Sequence, residues 1–458
     1  MRRASASRLL CALLLLLAAL WRGAPAQEEV TTAPSLAHQE TSASVASPAS
    51  LRQESFEIVW RTIKEKHFDP TFGGVDWDAV REQYAPRVAK ASTDQEFYGL
   101  LQRMLGELHQ SHFNIIPPEA LINSADKEAH DGSIGCDLRV INRQVVITRV
   151  GPNTAAARAG LRPGFVLREI DSTPVDEIFE RVSRSRGLIL NADFYITRAA
   201  LARLKGLPAT EVRLQYLDEK DQPHEVTLRR EQPAGEMSPR FGNFPPQRAE
   251  FEMKRLADGT GYIRFNVFVM PLMEKIRAAI RALKDAPGLI IDLRGNPGGI
   301  GGMAWGTAGM LTGQEFSLGT MRMRTGHVNF VAFPQRNAYG GPVVILIDGL
   351  SASTTEIFAA GMQEAGRAII VGERSAGAAL PSFIQKLPTG ALFQYAIADF
   401  RTPKGTLIEG RGVVPDVEIK LRRAALLEGR DIQLDAALEQ IKRESQKPGA
   451  GSQSGFKR

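Results

Sequence analysis

The 458-residue chain has only two cysteines, and one of them, Cys11, falls within the first 26 residues. Cys136 is then left without a partner, so no disulfide can form in the remainder, which excludes a small cystine-stapled secreted fold. Histidine is scarce, with seven residues. His109 and His112 are spaced like a ligand pair, but no third ligand stands out and no His-Glu-x-x-His occurs, so neither a metal nor a cofactor is expected. The long apolar run, Leu9 to Trp21, is short for a membrane span. Gly349-Leu350-Ser351-Ala352-Ser353 does not fit the Gly-x-Ser-x-Gly elbow, which argues against an α/β-hydrolase esterase.

That apolar run follows Arg2, Arg3 and Arg8 and precedes Ala24-Pro25-Ala26, an A-x-A cleavage pattern ahead of Gln27. Residues 1–26 are therefore expected to be a signal peptide that is removed, with no stable membrane insertion afterwards. Cys11 lies too early in the run for lipid attachment. Export without disulfides points to a bacterial periplasm. The net charge of +6 includes four arginines and no acids from this segment, so the mature chain carries +2. The basic pI belongs largely to the signal, and nucleic acid is not an expected partner. The remaining length suffices for two or three domains with their own cores.

Residues 27–50 are rich in Ala, Ser and Thr and read as a linker. Phe56, Val59, Trp60 and Ile63 recur at helical spacing, as do Trp77, Val80, Tyr84 and Val88, and Thr93-Asp94-Gln95-Glu96 is a capping box for a third helix. A small helical domain is thus expected over 51–125, ending near Ser111-His112. Short strands and turns follow over 131–232, with an inserted helical stretch near 176–204. From about 245 to 430, strand, glycine turn and helix recur in the order that favours parallel crossovers. The Gly/Ser/Lys-rich residues 444–458 read as a disordered tail.

The richest stretch is 342–379. An apolar strand ends in a turn, and Ser351-Ala352-Ser353-Thr354-Thr355-Glu356 opens a helix. A hydroxyl at a strand-to-helix junction can face substrate while backbone N–H groups point at developing negative charge. Read locally, Ser353 to Glu356 is also an ordinary capping box.

Three ordered motifs carry a resemblance. Leu289-Ile290-Ile291-Asp292-Leu293-Arg294-Gly295-Asn296-Pro297-Gly298-Gly299, Ser351 to Phe358, and Gly410-Arg411-Gly412-Val413-Val414-Pro415-Asp416-Val417 are similar to the catalytic blocks of C-terminal processing (tail-specific) peptidases and their tricorn-core relatives. Val145 to Asp171, with its Ala-rich turn at Ala155 to Gly164, resembles a PDZ domain of the bacterial-protease type. The resemblance implies a multi-domain α/β protein: a crotonase-like ββα-spiral protease core, a PDZ-like β domain and a small helical N-terminal domain. It implies protein or peptide substrates and Ser353 as nucleophile. Gly132-Ser133-Ile134-Gly135 would be the loop that holds a peptide's C-terminal carboxylate, unless the PDZ-like region only gates or braces the enzyme.

A serine needs a base. Processing peptidases resemble one another in placing a lysine 25 positions after the serine; here that residue is Ala378. The tricorn-like branch instead takes the base from a distant Ser-His pair steadied by a glutamate, and Ser111, His112 and Glu409 occupy the matching places. In that reading His112 is the base, Ser111 orients it and Glu409 is the outer member of the relay. Thr354 N–H, with one from Gly298 or Gly299, would form the oxyanion hole. The rival reading is a non-catalytic protein on the same scaffold that binds peptides or apolar ligands, favoured by the missing lysine. Oligomeric state is not legible.

Overall fold

The computed structural model describes residues 47–119, 131–184 and 191–446. The expected signal peptide, most of the expected linker, and residues 447–458 lie outside the described residues.

Among the described residues, the first three α-helices each begin with a side-chain cap. Oxygens of Ser47, Asp76 and Thr93 accept the N–H groups of Ser50, Ala79 and Glu96 at the starts of helices Pro48–Lys66, Trp77–Ala89 and Asp94–Gly106. The first helix starts inside the segment read as linker, because Pro48 suits a first helical position, where no N–H is needed. The helices bury Phe56, Val59, Ile63, Trp77, Tyr84, Phe97, Leu101 and Met104 against one another. That cluster does not close on itself. It also takes in Leu380, Leu387, Phe393 and Tyr395 from far along the chain. Strand Asn114–Ile116 likewise pairs antiparallel with Leu392–Ala396, whose other neighbour is Ser382–Lys386. At about 1.5–3 kcal/mol for each fully buried large apolar side chain, this seam fixes the helices firmly to the core.

Residues 131–232 form an antiparallel sheet ordered Cys136–Ile141, Gln144–Val150, Val166–Ile170, Glu211–Leu217, Pro223–Arg229. Helices Val175–Arg184 and Ala192–Leu204 occupy the expected insertion and cover a core of Leu138, Val145, Ile147, Ile178, Ala200 and Leu214. The geometry does not support the reading of Gly132-Ser133-Ile134-Gly135 as an open carboxylate loop. Gly132 N–H donates to Gly206 O (2.7 Å), Ser133 N–H to Glu231 O (2.9 Å) and Gly135 N–H to Ser133 Oγ (3.1 Å). Ile134 is buried in the core of the sheet. Three of the four donors a carboxylate would need are thus committed within the fold.

The third region is built on a six-stranded sheet ordered Phe251–Arg255, Gly261–Phe265, Leu289–Asp292, Val343–Ile347, Ile369–Gly372, Val417–Glu418; the first pair is antiparallel and the rest parallel. Its central strands are apolar throughout because both faces are covered. Ile263, Ile291, Ile345, Ile347 and Ile370 share a core with Leu272 and Ile276 of helix Met270–Ala282, Ala304 of Gly302–Gly309, and Phe358 of Thr354–Glu364. Tyr262, Ile290, Val344, Leu346 and Val371 meet Ala437 and Ile441 of helix Ile432–Ser445. That helix runs two residues into the expected tail. Asp292 is paired with Leu346 in register, so the glycine turn and the serine turn leave the sheet side by side at its carboxyl edge.

Candidate active site

Ser353 stands where strand Val343–Ile347 gives way, after a short turn, to helix Thr354–Glu364. Its backbone is left-handed (φ 55°, ψ −120°), a conformation that costs of order 1–3 kcal/mol in a residue with a side chain. Two bonds hold it there: Ser353 N–H donates to Ala378 O (2.8 Å) and to Glu356 Oε2 (3.0 Å). Glu356 is wholly buried and also accepts from Ser375 Oγ (2.5 Å), Gly377 N (2.8 Å) and Ala378 N (2.9 Å). Burial pushes its carboxyl up to about 7 against these donors. Glu356 therefore does cap the serine, as the local reading has it, but it also fastens the 375–378 turn to the serine.

Gly298 lies against the serine: a Cβ on it would come within 2.7 Å of Ser353 Cβ and 2.8 Å of Thr354 N. Only glycine permits that approach, and its φ of 98° points the same way. Gly298 N–H is spent on Asn296 Oδ1 (2.9 Å). Thr354 N–H and Gly299 N–H donate no hydrogen bond among the described residues. Of the two glycines expected to supply an oxyanion donor, Gly299 is therefore the one with an N–H to give. Asn296, overlooked in the sequence, fixes the turn by also donating to Phe265 O (3.0 Å) and accepting from Thr355 Oγ1 (3.0 Å).

Ser111, His112 and Glu409 come together although 298 residues separate the first from the last. Ser111 N–H donates to Glu409 Oε1 (2.7 Å) and Ser111 Oγ–H to Glu409 Oε2 (2.8 Å). Ser111 Oγ lies 2.7 Å from His112 Nδ1. The hydroxyl has one proton, and the carboxylate takes it, so Nδ1 must be the donor in that last contact. The neutral imidazole is thereby held with Nδ1 protonated and Nε2 bare, as a base requires. Burial lowers His112 to about 4 and raises Glu409 above the ordinary carboxylate range, against the three donors on it. Glu409 Oε2 also accepts from Ala379 N–H (2.9 Å), the residue after the one whose carbonyl holds Ser353. The relay is thus tied to the serine segment through two adjacent residues. Among the described residues no hydrogen bond joins Ser353 Oγ to the His112 ring.

A further arginine braces the site from the middle sheet. Arg139 Nε donates to Asp348 Oδ2 (2.6 Å), and Asp348 Oδ1 accepts Gly295 N (2.9 Å) and Leu350 N (3.0 Å). One carboxylate therefore links the glycine turn to the serine turn. Burial would raise Asp348, but Arg139 and the N–H donors outweigh it and hold the group below its ordinary value. Sequence reasoning missed Arg139; its signal was the charged alternate face Asp137/Arg139 of an otherwise apolar strand. Asp292 and Arg294 hold the end of their strand: Asp292 is fully buried and binds Arg264, Arg294 and Tyr262. No group of three or more His, Cys, Asp or Glu among the described residues is arranged to hold a metal.

A serine on a strained strand-to-helix turn, open N–H groups beside it and a histidine relay are the parts of a serine-type acyl-transfer site. Comparison with known proteins finds two domain matches in this chain. Residues 259–419 match Peptidase family S41, a serine peptidase family, and residues 48–106 match the Tricorn protease C1 domain; the chain carries both. It is 26% identical to a carboxyl-terminal-processing protease of Synechocystis, over 83% of this chain and 84% of that one. It is 25% identical to a tricorn protease homolog of Streptomyces coelicolor, over 85% of this chain but only 32% of that protein. Among solved structures, the photosystem II D1 C-terminal processing protease aligns with a TM-score of 0.56 at 21% identity, over 87% of this chain and 98% of that chain. Mature CPAF aligns with 0.56 at 15%, over 86% and 97%. These two likenesses establish the fold.

Proposed function

We propose that the chain is an exported serine endopeptidase that hydrolyses peptide bonds of protein or peptide substrates through an acyl-enzyme on Ser353, with His112 as base. His112 Nε2 takes the Ser353 proton as Oγ bonds to the scissile carbonyl carbon, and the carbonyl oxygen becomes an oxyanion that Thr354 N–H and Gly299 N–H can receive. The C–N bond then breaks, and the imidazolium returns its proton to the leaving amine. Water, deprotonated by the same nitrogen, releases the acyl group and restores the serine. Ser111 orients the ring, and Glu409 offsets its positive charge.

The observation that supports this reading is the Glu409–Ser111–His112 chain, which offers a candidate base where Ala378 cannot act as one. Export rests on the sequence of residues 1–26; no helix among the described residues is long and apolar enough to cross a membrane. The PDZ-like assignment of 131–232 belongs to the same proposal, without the carboxylate loop. Casein cleavage by the mature chain beside Ser353→Ala and His112→Ala tests it, both variants being expected to lose activity. A fully active His112→Ala would make His112 the wrong base. The absence of a bond between Ser353 Oγ and His112 favours the alternative, a non-catalytic protein that binds peptides or apolar ligands; a wild type that neither cleaves nor is labelled by a fluorophosphonate on Ser353 would support it.

A further inference from the structure

Between the middle sheet and the core, residues 241–244 form a tight turn. Phe244 N–H donates to Phe241 O (2.9 Å) and Phe241 N–H to Phe244 O (3.3 Å), with Gly242 at φ 58°. Two contacts fix where this tip sits. On one side Phe241 and Phe244 line a small cavity with Val269, Met270 and Ile300, and Ile300 follows Gly299 directly. On the other, Asn243 Nδ2 donates to Ile384 O (2.9 Å). The tip therefore spans from the glycine turn to strand Ser382–Lys386.

That strand is the edge of its three-stranded sheet. Pro381 and Leu387 bond to Ile397 and Ala391, so residues of odd number face the neighbouring strand. The N–H and C=O groups of Ser382, Ile384 and Lys386 consequently point outward. Among the described residues the Asn243 amide is the only group bonded to this row. The strand begins at Ser382, four residues after Ala378, whose carbonyl holds Ser353 N–H, so Ser382 and Ile384 lie at most roughly 13–20 Å from Ala378 at the ~3.3 Å rise of extended chain. Phe383 and Phe241 are both 59% exposed, offering apolar contacts beside the edge.

We propose that this edge receives the substrate as an added strand, and that the 241–244 tip is a strap occupying it at rest. The Asn243 amide stands where a backbone N–H of the incoming chain would donate to Ile384 O. Main-chain pairing is indifferent to side chains, so the partner class is an extended, unfolded polypeptide segment bound within about six residues of the scissile bond. The proposal relies on Ser353 as nucleophile only to locate that bond.

Binding of fluorescein-labelled, carboxymethylated α-lactalbumin, an unfolded chain, to the Ser353→Ala protein tests it by anisotropy. Ile384→Pro removes an outward N–H while sparing every ladder bond, and it should weaken binding at least tenfold. Asn243→Ala, at an exposed tip, should tighten binding about threefold or more; it carries the test if circular dichroism shows Ile384→Pro misfolded. Equal binding by all forms, binding by none, or weakened binding by Asn243→Ala overturns the proposal. Failure of the peptidase reading would show separately, as a wild-type protein that binds the chain without cleaving it.

Discussion

Replacing Glu409 by Gln removes one charge and keeps the side chain's size. In the proposed transition state His112 becomes an imidazolium, and the bonds of 2.7 and 2.8 Å through Ser111 Oγ place the carboxylate roughly 5 Å from it. At an effective dielectric of about 20 that attraction is about 3 kcal/mol, on the order of 10²-fold in rate. The amide also meets N–H donors from Ser111 and Ala379 on both oxygens, so its NH₂ must face one of them. A buried donor left facing another donor costs about 1–3 kcal/mol, which should appear as a lower Tm. Steady-state hydrolysis of a fluorogenic peptide should therefore show kcat down on the order of 10²-fold with KM within about twofold. A folded Glu409→Gln protein within threefold of wild-type kcat would refute the relay.

Activity should rise with pH along one acid limb, since His112 must be neutral and Glu409 ionised. Burial lowers His112 and raises Glu409, so the limb should fall below the ordinary imidazole value of 6.5 and belong to the coupled pair; a kcat/KM profile with its midpoint at 6.5 or above contradicts this. Arg139→Ala strands the buried Asp348 carboxylate and should cost about 3–5 kcal/mol in denaturant unfolding, whereas Arg139→Lys should recover part of that and of kcat. Glu356, raised from 4.5 to about 7, favours the folded state while protonated; that advantage is fully present below 4.5 and is lost as pH rises through 7. Wild-type Tm should therefore drop relative to Glu356→Gln between these pH values, and parallel curves would contradict the assignment.

The core sheet was legible because its strands are apolar throughout and end in glycine turns, a pattern written locally. Ser353 was legible for the same reason. The meeting of Ser111, His112 and Glu409 was not: nothing in their spacing brings them together, and only the order of the family-like blocks suggested it. The pairing of Asn114–Ile116 with Leu392–Ala396 delivers His112 to the core, and three short residues leave no periodicity to detect. The 132–135 loop misled for a related reason. Glycines suit an open anion nest, but they equally suit close pairing with Gly206 and Glu231, and a sequence does not distinguish free N–H groups from spent ones. Arg139 left only the charged face it shares with Asp137 as a signal, and its partner, Asp348, lies 209 residues away.

The most direct measurement is the rate at which a fluorophosphonate labels the mature protein, with the adduct located by mass spectrometry. A single adduct on Ser353, absent in Ser353→Ala and formed at least 10²-fold more slowly in His112→Ala, is the expected result. No adduct on Ser353, or one formed equally fast without His112, would contradict a histidine-activated serine.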